Sequence, residues 1–390
     1  MHKITLFLLV GNEKITKKHF KLLSNQNKSI KDHKKYMEIT HSWHHVMLSK
    51  YFNLYNFYEY QDKILEFSDA LIYHTPYGKD DNVEDVESKL LNFKGKVPIV
   101  MRNYDAHSSF KLSKNYMLKY HDLCLSYLSA YINNKNILFA QISYDNFLVS
   151  KYNNIPKNRK FACIILRQEL RQAYFEDSNN FKTIGLDLQK TYDIRQIFVN
   201  YNNIDVYGAN WPLDMKNYKG VLIYERKHLV QNQYKFNFIL ENAIVDNYLS
   251  EKILDTFLSL SVPVYLGSPV IDKYIPKECF IDIRDFKNND ELIKYLEYMS
   301  DKEYNNYIDN ILKYRNDIFN KFSTKNNFAK IVYQWYKSHI NDNVEYEDIF
   351  LDKEDNKILS FNYKNPISFD NILSDLKQKV NLFWYQKVIK

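Results

Sequence analysis

The stretch YKFNFILENAIVDNYLSEKILDTFLSLSVPVYLGSP, residues 234–269, decides the fold class. Residues 236–240 are apolar but for Asn237, as a strand buried on both faces requires, and the run ends on Glu241-Asn242. Polar groups at the carboxyl end of such a strand are where α/β proteins assemble sites. A loop over 243–249 then delivers Ser250-Glu251-Lys252 to the start of an amphipathic helix predicted over 250–259, with Ser250 as its N-cap. Residues 262–266 form a second apolar strand ended by Gly267 and Pro269, where a glycine permits an unusual dihedral or a close backbone approach. Strand, helix and strand in this order make one parallel α/β unit.

The helix start carries its own electrostatic signal. Free backbone N–H groups and the positive end of the helix dipole favour an anion there, yet Lys252 places a cation in the first turn, the end that disfavours it. A phosphate or diphosphate held at that end reconciles the two. An exposed Glu–Lys pair on a solvated helix face is the bland alternative. Glu251 is suited to accept hydrogen bonds from sugar hydroxyls and is no phosphate ligand.

Outward from this unit the same alternation continues. Strand-like runs occur at 4–10, 70–73, 97–101 and 137–140, and again at 161–166, 204–208 and 279–283, with helical patterns at 290–299, 302–319 and 326–338. The basic, proline-containing segment 151–160 is the best linker candidate. At ~150 residues per domain, 390 residues make two domains and a tail: an N-terminal α/β domain over 1–155, a second over 156–340, and a tail over 341–390. Two such units in tandem place a ligand in the cleft between them. The tail turns acidic at Glu345, Glu347 and Asp348, and then Ile372, Leu376, Val380 and Phe383 recur at helical spacing among lysines. That helix either docks on its own protein or makes peripheral contact with a membrane surface.

Composition removes several classes. Hydrophobic residues at 45% and aromatics at 16% supply real cores and exclude a wholly disordered chain. The net charge of +7, from 54 basic and 47 acidic residues, is too dilute for a dedicated nucleic-acid binder, so no nucleic-acid partner is expected. Cys124, Cys163 and Cys279 stand far apart, which excludes a zinc knuckle or disulfide scaffold and points to a reducing compartment. The apolar run at 4–10 is too short to span a bilayer and no run of about 18 apolar residues follows, so a cytoplasmic protein is expected. His41, His44 and His45 have helical metal-ligand spacing without acidic or cysteine partners, and together with the lysine-rich stretch 14–35 they read as solvated helix surface.

The segment 234–286 resembles the donor-binding core of the α1,3/α1,4-fucosyltransferases, glycosyltransferase family 10. The matching pieces are Tyr-Lys-Phe at 234–236, Glu241-Asn242, Tyr248, Ser250-Glu251-Lys252 in place of Thr-Glu-Lys, Val-Pro-Val at 262–264, Leu266-Gly267-x-Pro269 and Phe280-Ile before Asp285-Phe286. The resemblance implies a GT-B type α/β fold of two facing Rossmann-like domains, here with a C-terminal helical tail. It further implies GDP-fucose as sugar donor, inversion at the anomeric carbon and no obligatory metal; the chain has no Asp-x-Asp triplet. On that reading Lys252 neutralises the leaving diphosphate, Glu251 holds the fucose or ribose, and Asn242 and Tyr248 contact the donor.

The N-terminal half matches less closely. The family's base is a Glu after an apolar strand; the corresponding strand here, 97–101, is followed by Arg102-Asn-Tyr-Asp-Ala-His107 without a Glu. Asp105 is the candidate base, with His107 as substitute. The family also supplies an Arg to the diphosphate, for which Arg167 and then Arg195 are the candidates. The expected activity is transfer of L-fucose to a hydroxyl of an acceptor glycan, on N-acetylglucosamine, in α1,3 or α1,4 linkage. The alternatives are a GT-B transferase using another nucleotide sugar, and a catalytically inactive glycan-binding or scaffold module.

Overall fold

The computed structural model describes residues 3–10, 16, 48, 50–75, 83–102, 114–126, 136–141, 144, 154–168, 197–222, 227–242, 244–343, 345 and 347–350. Asp105, His107, Arg195, the histidine cluster 41–45 and the tail helix expected around 372–383 lie outside these residues.

Two six-stranded sheets carry the fold, and every strand pair in both is parallel. The first comprises β1 (Thr5–Val10), β2 (Asn53–Asn56), β3 (Ala70–Thr75), β4 (Ile99–Arg102), β5 (Leu123–Ser126) and β6 (Ile137–Phe139), in the order β2-β1-β3-β4-β5-β6. Its helices include α1 (Phe57–Tyr60), α2 (Val83–Phe93) and α3 (Lys114–Tyr120). Alternate residues of β1 face opposite layers. Leu6 and Leu8 join one core cluster, while Phe7 and Leu9 pack with Phe57, Val86 and Leu90 of α1 and α2 in the other. This two-sided burial is why the strand is a continuous apolar run.

The second sheet comprises β7 (Lys160–Ile165), β8 (Ile204–Tyr207), β9 (Tyr218–Gly220), β10 (Tyr234–Leu240), β11 (Val262–Leu266) and β12 (Ile281–Asp282), in the order β12-β11-β10-β7-β8-β9. Renumbered within the sheet, that is the doubly wound order 3-2-1-4-5-6, with the reversal between β7 and β10. Strand β12 is shorter than the sequence pattern over 279–283 suggests, because short 3-10 turns at Lys277–Cys279 and Ile283–Asp285 flank it. Around the sheet lie α4 (Lys227–Gln231), α5 (Glu251–Leu258), α6 (Asn289–Tyr298) and α7 (Asp301–Lys321). Leu292, Ile293 and Leu296 of α6 cover one face with Ile308 of α7. Ile253, Leu254, Phe257 and Leu258 of α5 pack with Ile311, Ile318 and Phe319 of α7 in the adjoining cluster.

Two connections depart from the order of the sequence. The linker candidate is fastened down where it is described: Arg159 donates to the Ser259 carbonyl (3.3 Å) and the Tyr304 hydroxyl (2.8 Å). After α7 the chain passes through a π-helical turn, Lys325–Ala329, into α8 (Lys330–His339). Helix α8 packs on the first sheet, its Val332, Tyr333 and Tyr336 in the cluster of Ile4, Leu6 and Leu8. The Tyr333 hydroxyl accepts from Ile4 N–H (3.0 Å) and donates to the Tyr51 carbonyl (2.7 Å). The chain therefore returns to its first strand at α8. None of the described helices is long and apolar enough to cross a membrane.

Candidate functional site

The reversal between β7 and β10 opens a crevice at the carboxyl ends of those strands, where doubly wound sheets bind ligands. One lip is the chain after β7, where Arg167 is exposed. Gly208, at the end of β8 with φ +132°, lies so near this lip that a Cβ would stand 1.8 Å from the Leu166 carbonyl oxygen. The Trp211 indole N–H donates to the same oxygen (2.8 Å), which fixes the backbone before Arg167.

The other lip is Glu241-Asn242. Glu241 N–H donates to the Leu266 carbonyl (2.9 Å), extending the β10–β11 pairing by one residue, and its side chain is fully buried. A buried carboxylate must be paired or hydrogen-bonded, and the start of α5 supplies three such contacts. Ser250 donates through its N–H to Oε1 (2.8 Å) and through its hydroxyl to Oε2 (2.6 Å), and Lys252 Nζ lies 3.1 Å from Oε2. Ser250 is the N-cap, as its residue type predicts: its Oγ accepts from Lys252 N–H (3.3 Å). Lys252 Nζ also reaches that Oγ (3.1 Å). The cation that looks misplaced at a helix start thus faces a carboxylate held for it, and its side chain keeps 16% exposure. The sequence offered one sign of this: a charged residue continues the apolar run Phe238-Ile-Leu240, with Ser-x-Lys shortly after it.

Gly267 serves close approach and not an unusual dihedral. A Cβ there would stand 2.3 Å from the Tyr265 hydroxyl and 2.5 Å from Glu241 Cγ. The Tyr265 hydroxyl accepts from Ser268 N–H (2.9 Å), and the Ser268 hydroxyl accepts from Asn247 N–H (2.9 Å). Asn247 itself is left-handed, φ +65°. Its side-chain oxygen accepts from the Tyr274 hydroxyl (2.7 Å), and its carbonyl accepts from Gln141 Nε2 (2.9 Å), which follows β6 of the first sheet. The loop between β10 and α5 is therefore held from both halves of the chain.

A second charge network backs α5. Lys227 of α4 reaches Asp255 Oδ2 (2.8 Å), both side chains being buried, and the Tyr144 hydroxyl donates to Asp255 Oδ1 (2.5 Å). Burial, which alone lowers a lysine, is outweighed at Lys227 by Asp255 and then by Glu251 and Glu241, so its ammonium is held above the ordinary lysine range. Burial pushes the Asp255 carboxyl up, against the pull of Lys227. Arg284 is committed elsewhere, gripping Asp282 through Nε (2.8 Å) and Nη2 (2.6 Å). Burial raises Asp282, but this bidentate contact holds it below the usual carboxylate range.

The structure thus brings Asn242, Glu251 and Lys252 to one end of the crevice. Asn242 and Glu251 are partly exposed, Tyr248 is 2% exposed, and Arg167 stands on the opposite lip. Sequence reasoning gave no role to Glu241, Lys227, Asp255, Asn247 or Ser268. Among the described residues no group of three or more His, Cys, Asp and Glu is placed to hold a metal ion. The first sheet presents a different edge. His74 near the end of β3 pairs its Nδ1 with His121 Nε2 (2.9 Å), and His121 Nδ1 meets the Met117 carbonyl (2.9 Å). Arg102, ending β4, is 1% exposed, donates to the Gln141 carbonyl and lies 5.8 Å from the Phe328 ring.

Comparison with known proteins finds similarity over part of the chain. The sequence model described as glycosyltransferase family 10 (fucosyltransferase), C-terminal part, matches residues 186–347. An alpha-(1,3)-fucosyltransferase of Helicobacter pylori is 39% identical over 85 residues, 22% of this chain and 18% of that protein. Alpha-(1,3)-fucosyltransferase B of Drosophila melanogaster is 37% identical over 93 residues, 23% and 21% of the two chains. An alpha-(1,4)-fucosyltransferase of Arabidopsis thaliana is 32% identical over 78 residues, 20% of each. The matched stretch covers 18% to 21% of the length of these relatives. A crystal structure of an alpha1,3-fucosyltransferase superposes with a TM-score of 0.51 at 17% identity, over 86% of this chain and 91% of that one, a likeness of fold. With its two parallel-sheet α/β domains the chain has the GT-B type fold, and its residues 186–347 match the sequence model of glycosyltransferase family 10, the fucosyltransferases.

Proposed function

We propose that this protein transfers L-fucose from GDP-fucose to a hydroxyl of an acceptor glycan, on N-acetylglucosamine, in α1,3 or α1,4 linkage and with inversion. The observation that carries the reading is the switch-point crevice with Arg167 on one lip, and Asn242 beside the Ser250-capped helix with Lys252 in its first turn on the other. It is joined by the relatives named above, which are α1,3- and α1,4-fucosyltransferases.

In the step proposed, the acceptor oxygen bonds to C1 of fucose as the bond from C1 to the diphosphate oxygen breaks. The electron pair leaves with GDP, and the acceptor proton passes to a base, for which Asp105 is the candidate. Charge develops on the diphosphate as it departs, and a cation positioned in advance stabilises that charge more than the ground state. Lys252 is so placed, with Arg167 or Arg195 opposite. Glu251 and Asn242 orient sugar hydroxyls, and Tyr248 contributes through the loop it sits in. No metal is required in this reading. The proposed setting is cytoplasmic, with peripheral membrane contact through the helix at 372–383.

The test is release of GDP from GDP-fucose in the presence of lactosamine-type acceptors, with a thermal-shift panel of nucleotide sugars beside it. A ligand at a hundredfold excess over its Kd stabilises by about 2.7 kcal/mol, so the true donor stands out. Absence of both turnover and GDP-fucose binding would overturn the proposal; a larger shift with another nucleotide sugar would reassign the donor. A glycan-binding module without turnover is the second reading, favoured by the sequence after β4, where Asp105 stands without a Glu.

A further inference from the structure

We propose that Glu241 is a positioning residue for the transfer step, acting through Ser250 and Lys252 and touching neither substrate. The inference rests on the reading of Lys252 as the cation that meets the leaving diphosphate.

Three observations carry it. First, the carboxylate is fully buried and collects three polar contacts from two residues of one turn, at 2.8, 2.6 and 3.1 Å. Helix capping alone explains the two from Ser250; it does not explain the ammonium. Second, Ser250 Oγ stands within reach of the Glu241 carboxylate, the Lys252 N–H and the Lys252 ammonium at once. The ammonium is therefore located by two oxygens, and a long, flexible side chain is reduced to one arrangement. Third, Gly267 makes room for this side chain beside β11: a Cβ there would stand 2.5 Å from Glu241 Cγ, so any larger residue would displace the carboxylate from its partners. Strand β10, strand β11 and the cap of α5 together hold one cation whose side chain keeps 16% exposure.

The chemical consequence is a division of labour. Electrostatic catalysis depends on groups that need no rearrangement as charge develops. A free lysine at a helix start would bind ground-state GDP-fucose about as well as a held one, but would have to reorient during departure. Glu241 holds it beforehand, at the cost of sharing its charge. The loss on removing the carboxylate therefore falls on kcat and not on nucleotide affinity.

The experiment is a double-mutant cycle on the full chain, with Glu241→Gln, Lys252→Met and the pair, reading kcat, KM for GDP-fucose and calorimetric affinity for GDP. Glutamine keeps the size and one acceptor but turns an N–H pair towards the ammonium. Expected are a fall of about tenfold or more in kcat for Glu241→Gln with GDP affinity within about threefold, a fall of about a hundredfold for Lys252→Met, and a double variant no worse than Lys252→Met. Glu241→Asp, which keeps the charge, restores part of kcat. An additive double variant, a loss confined to KM, or a lowered Tm with kcat per folded molecule intact would each overturn the role. If Glu241→Gln does not fold, Ser250→Ala replaces it in the cycle under the same criteria, since it cuts the bridge from the other side. A wild-type chain that binds neither GDP nor GDP-fucose refutes the parent reading; one that turns over while the cycle is additive refutes only this inference.

Discussion

The carboxyl edges of the two sheets solve the same problem in opposite ways. At the second sheet, buried charge is paired with charge drawn from nearby sequence: Glu241, Ser250 and Lys252 lie within one strand–loop–helix unit. At the first sheet, the buried polar groups come from distant positions and settle on each other or on backbone carbonyls. His74 meets His121, and Arg102 donates to the carbonyl of Gln141. A network made within one unit leaves a motif; one made by topology leaves none. The comparison is open to direct attack, beginning with the largest expected effect.

Asp255→Ala should be the most damaging substitution at the second sheet. It leaves the buried Lys227 ammonium without its 2.8 Å partner, and breaking such a pair from one side costs about 3–5 kcal/mol. Urea denaturation measures it. A loss under about 1 kcal/mol would show that Glu251, which already contributes to the field at Lys227, takes over.

Acid should strike the first sheet harder. Burial pushes His74 down to about 3 and His121 well below its ordinary 6.5, whereas in the unfolded chain both take up protons near 6.5. The unfolded state then binds more protons than the folded one between those values. The stability is fully present above pH 6.5 and is lost as pH falls, by about 2 kcal/mol at pH 5 for His74 and in the same direction for His121. The second half carries one such group, His228, lowered to about 4 by burial. Hydrogen exchange at pH 7 and pH 5 should show the larger loss of protection in β3 and the chain around His121. Equal loss in both halves would break the contrast.

Tyr333→Phe tests whether α8 belongs to the first sheet by specific bonding or by its apolar face alone. The substitution strands the buried Ile4 N–H and the Tyr51 carbonyl, for an expected loss of about 2 kcal/mol in denaturant. A neutral result would assign the docking to Val332, Tyr336 and their neighbours.

What the sequence made legible follows the same division. The order of apolar runs gave both parallel sheets, and Ser250 announced the cap, because strand burial and helix capping are local rules. Strand β2 (Asn53–Asn56) escaped, since its NLYN sequence has no apolar run and only Asn56 in it is buried. The role of Glu241 escaped because a carboxylate at a strand end reads as a solvent-facing tip until the burial of its side chain is known. The return of α8 escaped for another reason: an amphipathic helix states that it has a partner and not which one.

The smallest effect expected is also the most diagnostic for the crevice. Arg167 is exposed, so its removal strands nothing buried and should leave folding stability within about 0.5 kcal/mol. Its position at the end of β7 sets it across from Asn242 at the sheet reversal, where a diphosphate between the lips would draw on both sides. Loss of one guanidinium contact to phosphate predicts about tenfold weaker GDP binding for Arg167→Ala, about 1.4 kcal/mol, read by calorimetry against unchanged denaturation. Unchanged affinity would move the phosphate arginine to Arg195. The second sheet would then supply only the Lys252 side of the crevice, and the contrast between a site made within one unit and a site assembled by topology would hold for half of it.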